Sequence, residues 1–194
     1  MMTQKNSNMI NMNPSEIIHN RLVESFGLIK YENIQNTFKK VDVSTDKDFQ
    51  KKFKGFYKVR KGDNWSKYYY DLFENVKKDP NIQTFEYILN SIYQGTGKFE
   101  PSFSSKMLAT LKPNCPIWDQ YVLKNTGIKV PSVKNINSLV ATYKDIEVWY
   151  KKFIVSPAGK TYIAEFDKNF PDYNNINDVK KNRFPFMGKK INSK

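Results

Sequence analysis

The sequence predicts an all-α fold, arranged as a single compact domain of about seven or eight helices. Apolar residues recur at helical spacing along most of the chain, and no convincing segment alternates apolar and polar residues as a half-buried strand does. No repeat of fixed length is present, so a solenoid is not indicated. With 194 residues, 39% of them hydrophobic and 15% aromatic, the chain is too apolar for a disordered protein and can build one sizeable core.

The first predicted helix begins at Asn13-Pro14, an N-cap followed by a proline, and ends at Gly27. Residues 1–13 ahead of it are expected to form a flexible tail, and residues 14–194 the domain. The stretch 28–43 is less periodic, which favours an irregular crossing with a short helix at 34–40.

Two further helices are predicted before residue 80. One begins near Ser44 and ends before Gly55. The other is capped by Asp63 or Asn64 and runs to Lys78 with a wide apolar face. Between them lies a basic segment with interleaved aromatic residues, a pattern that fits a segment tracking a phosphate backbone while offering a stacking ring and also a short extended connector.

A helix-turn-helix unit is predicted at residues 84–111. Thr84 caps its first helix, which ends at Gly95, and Ser102 caps its second. Glycines in such a turn let backbone N–H groups approach a phosphate without reading the bases. The candidate contacts to the DNA backbone in this turn and in the basic segment are Lys58, Arg60, Lys61, Gly95, Gly97 and Lys98.

The C-terminal part is predicted to contain two strong helices and a basic tail. After a linker at 128–132, one helix begins at Asn135 or Asn137 and the next at Ser156-Pro157. The stretch 179–187 is a weaker helix candidate because a proline interrupts it.

The balance of 32 basic against 19 acidic residues gives a formal charge of +13 and favours a polyanionic partner such as nucleic acid, although an acidic membrane surface or simple solubility also fits this charge. One cysteine, Cys115, excludes an intrachain disulfide and fits a cytoplasmic protein, nucleoid-associated in a bacterium. One histidine and one cysteine cannot build a zinc site, so no metal and no cofactor are expected. Neither a membrane segment nor a signal peptide is recognisable, and no obligate protein partner is indicated.

The segment from Ser102 to Val122 carries the candidate chemistry. Lys106 lies beside the apolar stripe of a predicted helix, so its amine is expected at a core edge. Asp119 stands in the first turn of the next predicted helix, after a proline-rich break. Taken singly, a lysine on a helix is usually a solvated charge, and an aspartate at this position is a common capping residue.

Together these residues resemble the catalytic segment of the helix-hairpin-helix DNA glycosylase superfamily, in particular its bifunctional 8-oxoguanine glycosylase/lyase branch. The resemblance covers about Thr84 to Gly127, with Lys106 and Asp119 at the positions of that family's nucleophilic lysine and assisting aspartate. The hairpin of this chain is longer than the Leu-Pro-Gly-x-Gly turn usual in the family.

The resemblance implies cleavage of the N-glycosidic bond of a base flipped out of DNA, followed by Schiff-base chemistry at Lys106. Trp118 and Phe103 are then the candidates for stacking on the flipped base, although both also fit a core role. Damaged guanine, a phage-modified base and an alkylated base remain open as substrates. The alternatives are a non-enzymatic basic helical protein that binds duplex or single-stranded nucleic acid, and an interaction protein without a nucleic-acid role.

Overall fold

The computed structural model describes residues 22–183 and confirms the all-α prediction over that range. The α-helices of this part of the chain are α1 (Leu22–Phe38), α2 (Lys47–Tyr57), α3 (Asp63–Lys78), α4 (Phe85–Thr96), α5 (Pro101–Leu111), α6 (Gln120–Thr126), α7 (Ile136–Val155), α8 (Pro157–Asn169) and α9 (Asp178–Arg183). Two short 3-10 turns, Pro80–Ile82 and Pro171–Tyr173, connect neighbouring helices, and the described range contains no strand. None of these helices is both long enough and apolar enough to cross a membrane.

Aromatic side chains form much of the main core, in which α4 packs against α3, α5 and α7. Phe53 of α2 and Phe73 of α3 are fully buried, with their ring centroids 5.6 Å apart in an edge-on arrangement. On the other side of α4, Phe85 stacks on Tyr143 of α7 at 3.9 Å. Such ring pairs stabilise the fold by about 0.5–1.5 kcal/mol each beyond the effect of burial.

A second, smaller cluster joins the first described helix to the last ones. Leu28 and Tyr31 of α1 pack with Phe166 of α8 and with Ile176. The ammonium group of Lys180, whose side chain is almost fully buried, donates to the Ala109 carbonyl near the end of α5 at 3.4 Å. The same ammonium lies 5.4 Å from the centroid of the Tyr31 ring, so α9 is docked against both α1 and α5.

The predicted helix starts are confirmed where a side chain caps the helix. Thr84 caps α4 and Asn135 caps α7, each accepting a hydrogen bond from a backbone N–H of the first turn. Ser156 caps α8 in the same way, with Pro157 as its first residue. Each of these starts depends on residues adjacent in sequence, which is why the sequence alone predicts them.

Three predicted helix ends are wrong, because helices continue through the glycines taken as stops. α1 runs through Gly27 to Phe38, and the stretch 28–43 is therefore mostly helical. α2 continues past Gly55, and α4 contains Gly95 and ends one residue later. The segment of the first predicted helix before Leu22 lies outside the described residues, as do residues 1–13 and the basic C-terminal tail.

Two predicted helix starts are also corrected. α5 begins at Pro101 after Glu100, so Ser102 lies inside its first turn instead of capping it. The N-cap of α3 is Gly62, with Asp63 as the first helical residue. A proline at the first helical position has the helical φ angle already set, and this favours the earlier start of α5.

Candidate nucleic-acid interface

Phe103 and Lys106 of α5 meet Lys61, which lies two positions before α3, near the end of α2. The ring of Phe103 on α5 has the ammonium group of Lys61 5.4 Å from its centroid and that of Lys106 5.1 Å away. Lys61 precedes α3, and its ammonium is also 5.5 Å from the centroid of the Trp65 ring. One aromatic ring is thus flanked by two cations, an arrangement in which cation–π attraction favours both charges.

The backbone of the connector places its cations at the surface. Lys58 follows the last residue of α2 and adopts a left-handed conformation, with φ of 53°. Its backbone N–H donates to the Lys54 carbonyl and so ends the helix, while its side chain is exposed. Arg60 is exposed as well, and Lys98 is exposed in the turn between α4 and α5.

The two cations that flank Phe103 are held by bonds within the protein. Lys61 forms an ion pair with Glu100, the residue before α5. Lys106 donates to the Tyr57 carbonyl at 3.2 Å, at the carboxyl end of α2. The helix dipole makes that end of α2 negative, which attracts the amine to this position. Both lysines therefore define the shape of the surface and add positive charge to it.

The wide apolar face predicted for the helix at 63–78 includes Trp65, which packs against the main core and also contacts Lys61 at this surface. The Trp65 ring stacks on Tyr69 at 4.8 Å and meets Phe103 edge-on at 5.1 Å. Its indole Nε1 is buried and has no hydrogen-bond partner among the described residues. Its spacing of four residues from Lys61 is the signal that could have indicated the cation–π contact.

Asp119 is the N-cap of α6, and its Oδ1 accepts hydrogen bonds from the backbone N–H groups of Tyr121 and Val122 at 2.9 and 2.8 Å. No ion pair joins Asp119 to Lys106 within the described part of the chain. The two segments are nevertheless neighbours, because the backbone N–H of Trp118 donates to Ser105 Oγ at 2.8 Å. Consecutive side chains on a helix diverge by about 100°, so Lys106 is directed away from that contact, toward α2.

Trp118 lies in the core, where it is 4% exposed and parallel to the ring of Phe85 at 6.3 Å. A ring that stacks on a flipped base must be accessible, and Trp118 in this conformation is not. Phe103 is partly exposed and lies at the surface described above.

The two glycines of the predicted phosphate-binding turn have structural roles. A Cβ on Gly95 would lie 2.0 Å from the ring of Tyr68, so this helical glycine allows α3 and α4 to approach closely. Gly97, with φ of 69°, ends α4, and its N–H donates to the Tyr93 carbonyl at 2.8 Å. That N–H is therefore already used within the protein.

A polar cleft of about 570 Å³ lies between the start of α2 and the start of α3. Lys47, Lys54 and Lys67 line it together with Asp63 and Asp71, and Lys67 pairs with Asp71 at 2.6 Å.

No three His, Cys, Asp or Glu side chains are grouped to hold a metal ion within residues 22–183. Burial raises the pKa of the Cys115 thiol, which keeps it protonated and weakly nucleophilic at neutral pH.

Comparisons of the chain with protein-family models, with curated proteins and with solved structures found no match. The relationship to helix-hairpin-helix glycosylases thus remains a prediction that depends on the sequence segment from Thr84 to Gly127.

Proposed function

We propose that the protein binds nucleic acid through the surface formed by the connector 58–62, the start of α3 and the start of α5. The observation that supports this proposal is the meeting of Lys61, from the connector, with Phe103 and Lys106, which both lie on α5. The sequence had singled out each of them for contact with DNA.

The charges around this cluster fit a phosphate backbone. Lys58, Arg60 and Lys98 are exposed, and no carboxylate of the described residues is paired with them. Exposed cations bind phosphates without reading the bases, and the counterions that they release make binding strongly dependent on salt. The whole chain carries a formal charge of +13, which attracts any polyanion to the surface.

A triple variant tests the proposal. Lys58→Ala, Arg60→Ala and Lys98→Ala together should weaken binding to a labelled oligonucleotide, measured by fluorescence anisotropy between about 50 and about 200 mM salt. The slope of log K against log salt should become shallower by about two to three, because up to three phosphate contacts are lost.

The matched control removes the same charge from exposed lysines at the end of α7 and on α8, with Lys152→Ala, Lys160→Ala and Lys168→Ala. This variant should keep the wild-type slope. Equal losses in both triple variants would show a diffuse charge effect and contradict the proposed surface, as would an affinity of the wild-type protein that does not change with salt.

A second candidate function is the lyase chemistry that the family resemblance implies. The observation in its favour is the Trp118–Ser105 hydrogen bond, which holds the segment carrying Asp119 against α5 one residue from Lys106. In the proposed reaction the Lys106 amine adds to the C1′ aldehyde of an abasic site and loses water to give an imine. Borohydride then reduces the imine to a stable amine.

Borohydride trapping on abasic DNA tests this chemistry. The wild-type protein should form a covalent adduct, and Lys106→Ala should form none while keeping the salt-dependent binding that the exposed Lys58, Arg60 and Lys98 provide. Asp119→Asn should slow adduct formation, because it keeps a capping side chain but loses the charge. Lys112→Ala, which removes a lysine at the other end of α5, is the matched control and should trap normally. An adduct of equal yield in Lys106→Ala would assign the trapping to surface lysines.

A further inference from the structure

Tyr93, near the end of α4, presents an aromatic ring that is both held in place and exposed. Its ring stacks on Phe99 with centroids 4.1 Å apart and planes 9° from parallel. Phe99 in turn packs against the main core. Tyr93 nevertheless keeps 38% of its surface exposed. Since one face of the ring lies on Phe99, the exposed surface of Tyr93 lies away from that contact.

This ring lies next to the proposed nucleic-acid surface. The Tyr93 carbonyl accepts the N–H of Gly97, which fixes the turn that carries the exposed Lys98. Two residues further on, Glu100 forms the ion pair with Lys61. The aromatic face and the cations are therefore linked through one short, hydrogen-bonded turn.

We propose that Tyr93 stacks on an unpaired base of single-stranded nucleic acid whose phosphates contact Lys98 and the neighbouring cations. The inference rests on the proposed function and adds the kind of strand that is bound. Bases in a duplex already stack on both neighbours, so an exposed protein ring can reach a base face only where the strand is unpaired. A ring already fixed on Phe99 loses little conformational entropy on binding.

Other aromatic residues at this surface are less suited to stacking on a base. The rings of Phe103 and Trp65 have lysine ammonium groups close to them, and Trp118 is buried. Tyr87 is 41% exposed on the same helix, but no ring of the described residues stacks on it. Tyr87 therefore serves as a matched control for an exposed tyrosine that lacks a supporting ring.

The experiment compares two oligonucleotides of equal charge with the full chain. One is oligothymidine of about 12 nucleotides, and the other is an abasic strand of the same length, which keeps the phosphates and lacks the bases. The wild-type protein should bind oligothymidine more tightly than the abasic strand. Tyr93→Ala should weaken binding to oligothymidine by about 5- to 150-fold, the factor that stacking on one base contributes, and leave binding to the abasic strand unchanged.

Further variants separate stacking from folding. Tyr93→Leu keeps an apolar cover on Phe99 but has no π face, so it should behave as Tyr93→Ala does while keeping the wild-type helical circular dichroism. Tyr93→Phe and Tyr87→Ala should both bind as the wild-type protein does.

Two outcomes would overturn the stacking role. The first is equal affinity of the wild-type protein for both strands, and the second is an equal loss on both strands in Tyr93→Leu. In either case salt-dependent binding would still support the proposed function. Absence of salt-dependent binding to both strands would overturn the proposed function and this inference together.

Discussion

Two helical glycines of this chain have opposite tolerance for a methyl group. Gly55 lies inside α2, and a Cβ built on it meets nothing within 4 Å. Gly159 lies in the first turn of α8, where a Cβ would lie 1.9 Å from the Phe153 carbonyl oxygen at the end of α7. Backbone on both sides of that corner prevents an easy adjustment.

We expect Gly55→Ala to raise the free energy of unfolding by about 0.5–1 kcal/mol, because alanine loses less conformational freedom than glycine in a helix. Gly159→Ala should lower it by about 1–3 kcal/mol or more, since the corner between α7 and α8 has to open. Urea unfolding followed by circular dichroism measures both changes. A Gly159→Ala variant as stable as the wild-type protein would show that the corner adapts, contrary to its packing.

The position of a residue on its own helix was easier to predict than its neighbours in space. The sequence places Phe103 on the apolar face of its helix and Lys106 beside that face, at a core edge. Their meeting with Lys61 depends on the relative placement of α2, α3 and α5, which is set by core packing and not by local pattern. Trp118 shows the converse, because its position in the chain suggested a base contact while the stacking on Phe85 buries it.

At the scale of whole helices, starts were predicted better than ends. A start depends on one capping side chain close in sequence, as at Thr84 and Ser156. A glycine is a weaker signal for a helix end, because keeping that glycine helical costs only about 1 kcal/mol. Burial of a large apolar side chain contributes about 1.5–3 kcal/mol, so the buried Leu28 and Tyr31 outweigh the cost of Gly27 inside α1.

The helix-turn-helix unit at 84–111 was predicted as a unit, and its two helices are α4 and α5. The function of its turn could not be read from glycine content. Gly95 is needed because the Tyr68 ring of α3 packs directly against it. The sequence of the turn alone gives no information on this contact, because α3 lies elsewhere in the chain. The turn contributes the exposed side chain of Lys98 to the proposed surface. It does not contribute free backbone N–H groups of its glycines.

For the molecule as a whole, the tyrosine-rich core sets the response to alkaline pH. Burial raises the pKa of Tyr69 and Tyr143 well above its usual value, and it also raises that of Tyr70. In the unfolded chain these phenols ionise near pH 10, whereas in the folded protein they stay protonated. The unfolded state then binds fewer protons, so stability is complete below about pH 10 and falls as the pH rises further.

We therefore expect the free energy of unfolding to fall steeply above about pH 10, by up to about 1.4 kcal/mol per pH unit for each of these tyrosines. Urea unfolding at a series of pH values between about 9 and about 11 measures the slope. Tyr143→Phe should make the slope shallower, although it also removes the hydrogen bond to the Pro116 carbonyl at every pH. A free energy of unfolding that stays constant over this range would contradict the prediction.

The left-handed conformation of Lys58 lowers the stability of the end of α2. Glycine adopts this conformation without strain and commonly ends helices, whereas a lysine there costs about 1 kcal/mol. Lys58→Gly should therefore relieve this strain. The lysine instead places a cation at the end of α2, beside Arg60 and next to the carbonyl that Lys106 binds. At position 58 the charge of the proposed surface and the stability of the helix end therefore oppose one another.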